Sequence, residues 1–196
     1  IDLLREVLEV IDASLPLIGR VNAAKVVFAP DHQTLVLARV TPSTRRVLGA
    51  VVLKPHAQRS LAELAYCVVR KEEQRSGIGM RLLDGFKKHC LGLGILHLLT
   101  YADDSAVKFF EKAGFDPEPP AGMEVNRFHW AISHYIGSQL RQCALDPDGA
   151  TLYAADYPYH LPSSGARRLS EPRNAYEVQD WEPPKDVYEV QNSEDG

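Results

Sequence analysis

The chain has 196 residues, with 22 Lys and Arg against 26 Asp and Glu, 45% apolar residues, and 13 each of glycine and proline. That composition is globular and excludes collagen, coiled coil and wholly disordered chains. At this length about two thirds of the unfolded surface can be buried, so neither a metal nor a disulfide is needed to hold the fold. Cys67, Cys90 and Cys143, an odd set without C-x-x-C spacing, argue against a disulfide framework and a structural zinc site and suit a reducing, intracellular setting. No apolar run approaches the ~20 residues of a membrane span, and no charged stretch precedes an apolar one at the N-terminus. Opening on Ile1 rather than Met, the chain is expected to be an excerpt or a processed product.

In chain order, Leu3, Leu4, Val7, Val10 and Ile11 recur at helical spacing and predict an opening amphipathic helix. The β-branched or apolar runs Val26-Val27-Phe28, Leu35-Val36-Leu37 and 47–53 are separated by the turn residues Pro30-Asp31 and Thr41-Pro42-Ser43. They predict strands joined as antiparallel hairpins. A fourth run, Leu61–Val69, ends in the polar stretch 70–76. From there Ile78, Leu82, Leu83, Phe86 and Cys90 define one buried helical face, ended by Gly92 and Gly94. A buried strand over 95–100 and a helix from about Asp104 to Gly114 follow, with strand candidates at 127–132 and 139–145. The class is α/β (α+β) with a mixed sheet.

Charge divides the chain near residue 150. Residues 1–150 hold 18 basic and 17 acidic side chains, net +1, and 151–196 hold 4 and 9, net −5. The acidic tail carries Pro158, Pro162, Pro172, Pro183 and Pro184 without a sustained period, so it is expected to be largely extended or disordered. Within it Tyr176-Glu177-Val178-Gln179-Asp180 recurs twelve residues later as Tyr188-Glu189-Val190-Gln191-Asn192. A plain acidic tail is favoured over a duplicated docking or tyrosine-phosphorylation motif.

Gln74-Arg75-Ser76-Gly77-Ile78-Gly79 lies where a strand hands over to a helix. There free backbone N–H groups and the positive helix end cradle phosphates, and glycines admit a close ligand. No Lys-Ser or Lys-Thr follows, as a P-loop requires, and there is no third glycine for a dinucleotide fingerprint. In order come Ala62-Glu63-Leu64-Ala65-Tyr66-Cys67-Val68-Val69, this glycine turn, Leu99-Thr100-Tyr101-Ala102-Asp103, Phe110-x-Lys112-x-Gly114-Phe115, and Ile132-x-x-Tyr135-x-Gly137-x-x-Leu140-x-x-Cys143. Together they resemble the Gcn-five/PCAF histone lysine acetyltransferases of the GNAT superfamily, over about residues 1–147.

The resemblance implies the GNAT fold, a central mixed, mostly antiparallel twisted sheet flanked by helices, filling a domain of residues 1–150. It implies an acetyl-CoA-dependent enzyme in which a lysine amine attacks the thioester directly in a ternary complex. Gln74, Arg75, Ser76, Gly77, Ile78, Gly79 and Met80 would hold the pyrophosphate, and Cys67, Val68 and Val69 would pair their backbone with the pantetheine arm. An N–H near Cys67 would serve the oxyanion. A lysine of pKa ~10.4 is neutral in only about one molecule in 2,500 at pH 7, so a base is needed. The resemblance assigns that role to Glu63, a carboxylate among apolar neighbours that burial makes more basic. On spacing alone Glu63 reads as a strand glutamate facing water. Acyl transfer through a Cys67 thiolate is the lesser mechanism, since no histidine or cation is placed by sequence to activate it.

Where the family commonly carries a tyrosine facing the cofactor, this chain has Ser105, which puts that contact in doubt. The resemblance places the peptide groove near 126–137, including Tyr135, and implies a histone tail substrate, foremost histone three. It also implies nuclear location and coactivator-complex subunits as partners. The seven histidines lack zinc spacing, so no metal is expected. The basic pairs Arg45-Arg46, Arg70-Lys71 and Lys87-Lys88 sit in a nearly neutral core, so direct nucleic-acid binding is not expected. Two alternatives stay open: a GNAT-fold module that binds acyl-CoA or a partner without turnover, and an acetyltransferase for non-histone amines.

Overall fold

The computed structural model describes residues 2–117, Ile132 and 137–145, together with the backbone of three short strands in the tail. Helix α1 (Asp2–Ser14) forms as the apolar spacing predicts. Its Val7, Leu8, Val10 and Ile11 are buried against Val36, Ala38, Val47, Ala50, Val52, Tyr66 and Val68 on one face of the sheet. Each such side chain removed from water contributes about 1.5–3 kcal/mol.

The second element corrects the sequence reading. The run Val26-Val27-Phe28 is not a strand: Val26 and Val27 end helix α2 (Arg20–Val27) and Phe28 is its C-cap. Ala23 and Val27, four residues apart, are the buried pair of that helix and pack into the cluster beneath α1. Tertiary burial at helical spacing here outweighs the β preference of paired valines.

Strands β1 (Gln33–Val40), β2 (Arg45–His56) and β3 (Leu61–Val69) form an antiparallel meander. Helix α3 (Ile78–Gly92) crosses over to β4 (His97–Asp103), parallel to β3, and β5 (Ser138–Ala144) returns antiparallel to β4. The five strands run in the order β5-β4-β3-β2-β1, the mixed, mostly antiparallel sheet expected. Beyond β1 the order continues through β8 (Val187–Gln191), β7 (Tyr176–Val178) and β6 (Ala166–Arg168). The two copies of the Tyr-Glu-Val repeat therefore fall in β7 and β8. Of the strand expected at 127–132 only Ile132 is among the described residues.

Two boundaries move for identifiable reasons. Ile95 was expected to open a strand, but its N–H donates to Cys90 O at 2.9 Å, so it belongs to the end of α3, where Gly94 turns at φ 72°. Helix α4 (Val107–Lys112) begins later than Asp104 because the Asp103 carboxylate draws the N–H groups of Ser105 (2.8 Å) and Ala106 (3.0 Å) into a turn.

On the opposite face, α3 buries Ile78, Leu82, Leu83, Phe86 and Cys90 against Leu35, Leu37, Leu48, Val51, Leu53, Ala62 and Leu64. Strand β3 serves both layers by changing faces midway. Val52 pairs with Tyr66 and Leu53 with Leu64, leaving Ala65 as an extra residue. Before it, Ala62 and Leu64 face the α3 layer; after it, Tyr66 and Val68 lie in the α1 layer while Cys67 and Val69 pack against the α3 layer. The extra residue is a β-bulge, and bulges re-aim side chains in this way.

Candidate active site

The site begins where two neighbouring strands part. Strand β3 pairs with β4 only at Leu61, Ala62 and Glu63, opposite His97, Leu98 and Leu99. From there β3 follows β2 as far as Val69, whereas β4 follows β5 as far as Asp103. At the fork Thr100, itself buried, donates its hydroxyl to Leu64 O at 2.9 Å, replacing the ladder bond that ends there.

Above the fork, no strand among the described residues pairs with β3 on the β4 side, which leaves its backbone edge open there. Arg70 N–H donates to Leu48 O at 2.8 Å, so Arg70 faces β2. By strand alternation Val68 does too, and Cys67 and Val69 turn toward the open side. Val69 O is already engaged by Gln74 Nε2 at 3.2 Å and Ser14 Oγ at 3.3 Å. What remains for an incoming ligand is the backbone of Cys67 and the N–H of Val69.

At the mouth of the opening lies the glycine turn. Gly77, the N-cap of α3, sits at φ 88° and ψ −8°, a left-handed conformation that glycine adopts without strain. Arg75 is left-handed as well, at φ 63°. The first backbone bond of α3 runs from Arg81 N–H to Gly77 O at 3.1 Å, and Gly77 supplies no side-chain cap. The N–H groups of Ile78, Gly79 and Met80 therefore stand ahead of the helix ladder at its positive end. The preceding 3-10 turn (Lys71–Glu73) is tied to the sheet by Glu72 to Arg46 and by Glu73 to Arg39 at 3.3 Å. Arg70 adds a bond to Glu6 at 2.7 Å and another to Val47 O at 2.5 Å.

Glu63 is 4% exposed, on the last residue pair before the fork. It lies on the opposite face of β3 from Ala62 and Leu64, the side of Leu61, which clusters with Leu99 and Ile132. Cys67 is half-buried against the α3 layer, and desolvation pushes its thiol up to about 12. A nucleophilic cysteine needs the opposite shift.

A forked parallel pair with a buried carboxylate at its base and an uncapped helix start at its mouth is a cleft for an elongated anionic ligand. Residues 12–115 match the acetyltransferase (GNAT) family. The chain belongs to the GNAT acetyltransferase family. It is 30% identical over 133 residues to the histone acetyltransferase GCN5 of Oryza sativa subsp. japonica, covering 67% of this chain and 25% of that protein. It is 31% identical over 136 residues to GCN5 of Yarrowia lipolytica, covering 68% and 28%. This chain thus spans about a quarter of the length of those relatives. The crystal structure of Tetrahymena GCN5 superposes with a TM-score of 0.67 at 30% identity, covering 74% of this chain and 88% of that one. The catalytic domain of Tetrahymena GCN5 in complex with coenzyme A superposes with a TM-score of 0.58, also at 30% identity.

GNAT enzymes use acetyl-CoA, and the residues of this GNAT chain fit such a group: free N–H groups at 78–80 for its phosphates, and the open β3 edge for an amide-bearing arm. The structure brings Glu63, Cys67, Val69 and the turn from Gln74 to Met80 around one opening. Val68 belongs to the same strand, but its backbone is turned to β2 and its side chain lies in the α1 layer. Ser105 stands on the far wall, exposed, with its hydroxyl donated to the Asp103 carboxylate at 2.6 Å. Tyr135 lies outside the described residues. Two contributors carried no sequence signal for their roles. Thr100 was visible only as part of a motif, and the Glu6–Arg70 pair joins positions 64 residues apart.

Proposed function

We propose that this GNAT chain transfers an acetyl group from acetyl-CoA to a lysine side-chain amine of a histone tail, foremost histone three. The observation that carries the reading is the forked β3–β4 pair with buried Glu63 at its base. Acetyl-CoA, when bound, supplies the activated acetyl thioester. The N–H groups of Ile78, Gly79 and Met80 hold its phosphates, with Gln74, Arg75, Ser76 and Gly77 shaping the turn. The carbonyl of Cys67 and the N–H of Val69 hold its arm. Glu63 accepts the proton of the incoming ammonium, directly or through one water, and the Cys67 N–H donates to the oxygen on which negative charge develops. Nothing in this scheme uses the Cys67 thiol.

The substrate follows from the relatives named histone acetyltransferases, and nuclear location and service in a coactivator complex belong to the same proposal. The test is steady-state transfer from acetyl-CoA to a histone-three tail peptide across pH, wild type beside Glu63→Gln. The expected result is a rate that rises with pH through one ionisation and falls by about 10²-fold or more in the variant. Binding of acetyl-CoA without turnover by the wild type would instead favour a non-catalytic module. Turnover of other amines but not the peptide would replace the histone and keep the chemistry.

A further inference from the structure

We infer that Phe109 is a positioning residue that sets the width of the cofactor cleft by seating its ring on Gly79. The two walls of the cleft are joined at the base by the short β3–β4 pairing. At the mouth they are joined by α4 leaning on the first turn of α3. Gly79 is the point of that second contact. A Cβ placed on it would stand 2.9 Å from Phe109 Cε2, 3.1 Å from Phe109 Cζ and 3.7 Å from Val69 Cγ2. The end of β3, the start of α3 and α4 thus converge on a position with no side chain. Sequence reading attributes this glycine to close approach of a ligand; here it admits an aromatic ring from the opposite wall.

The ring has little freedom to yield. Phe109 meets Phe110 edge-on with centroids 5.3 Å apart, and Phe110 meets Phe115 in the same way, also at 5.3 Å. Beyond Phe115, buried Lys87 of α3 stands 5.4 Å over the ring and donates its ammonium to Ala113 O at the end of α4. Helix α4 is therefore fixed to α3 at two points eight residues apart on α3, Gly79 and Lys87. With the far point held, a methyl group on Gly79 is accommodated by moving the near one. That displaces the N–H groups at 78–80 relative to the wall that carries Ser105.

The inference rests on the acetyl-CoA reading above, and a four-protein comparison separates the two. Wild type, Gly79→Ala, Phe109→Leu and the double variant are compared by calorimetric titration with coenzyme A, by kcat and KM for acetyl-CoA, and by thermal melting. Gly79→Ala is expected to weaken coenzyme A binding by about tenfold, with the loss in KM for acetyl-CoA exceeding that in kcat. In the double variant the smaller side chain at 109 makes room, and most of the affinity returns. Simple packing damage would lower the melting temperature in both single variants and add in the double, without restoring affinity; that result overturns the inference. Equal binding by wild type and Gly79→Ala overturns it as well and leaves the proposed function standing. Failure of the wild type itself to bind coenzyme A removes the proposed function and this inference together.

Discussion

Replacing Cys67 by alanine separates the two chemistries that a cysteine beside the cleft invites. The substitution removes the thiol and keeps the backbone N–H, the only part of the residue that direct attack uses. With the thiol pushed up to about 12, roughly one molecule in 10⁴ carries a thiolate at pH 8, against about a quarter for an ordinary cysteine of pKa ~8.5. A covalent route would start from a population about 10³-fold depleted. Cys67→Ala should therefore keep kcat/KM within about fivefold of wild type and lose about 1 kcal/mol of stability from the emptied half-buried site. The assay is initial-rate acetyl transfer with both substrates varied, beside urea unfolding. Wild type and variant should both give intersecting double-reciprocal lines, as a ternary complex requires. Parallel lines for the wild type, with the variant inactive yet folded, would refute both the desolvated thiol and the direct-attack scheme.

Other outcomes follow from single contacts. Burial holds His89 down to about 4 from an ordinary 6.5, while its Nε2 pairs with Gln33 Oε1 at 2.7 Å. Below pH 6.5 the unfolded chain takes up a proton that the folded one refuses, so stability should fall as pH drops from about 6.5 to 4. The drop should reach about 2–3 kcal/mol, and His89→Gln should flatten that limb in urea titrations across pH. Thr100→Val keeps the shape of the side chain and removes the hydroxyl that satisfies Leu64 O at the fork. A cost of about 1–3 kcal/mol is expected in chemical denaturation, with weaker coenzyme A binding in calorimetry because the base of the cleft loosens. Stability unchanged within about 0.3 kcal/mol would mean that the fork is held by other contacts.

Much of the architecture is legible in the chain because its signals are local and periodic. The run Leu61–Val69 became β3 without a boundary shift, and Ile78, Leu82, Leu83, Phe86 and Cys90 mark the buried face of α3 from spacing alone. The glycine turn is legible for a related reason, since Gly77 stands at a positive φ that its neighbours' chemistry frames. Features decided by tertiary contact are not. Paired valines at 26 and 27 look like a strand until the burial of Ala23 and Val27 on one side is known. The parting of β3 from β4 is a property of neither strand's sequence but of which partner each keeps. Glu63 is a water-facing strand residue by pattern and a buried one in fact, and only the ordered motifs around it drew attention to it. The ring of Phe109 on Gly79 joins residues thirty positions apart, each of which has a sufficient local explanation that hides the contact.

The single extra residue at Ala65 has a consequence for how this strand tolerates changes of length. A strand is a two-stroke device, and the bulge shifts its phase by one stroke between Leu64 and Tyr66. Deleting Ala65 would leave Tyr66 directly after Leu64 and still opposite Val52, so Tyr66 and Val68 would keep the α1 layer and Cys67 and Val69 the α3 layer. The ladder with β2 would become regular, and what the strand would lose is the local bend of the bulge. Within these nine residues the small alanine therefore marks a place where the chain can shorten without reversing a buried face.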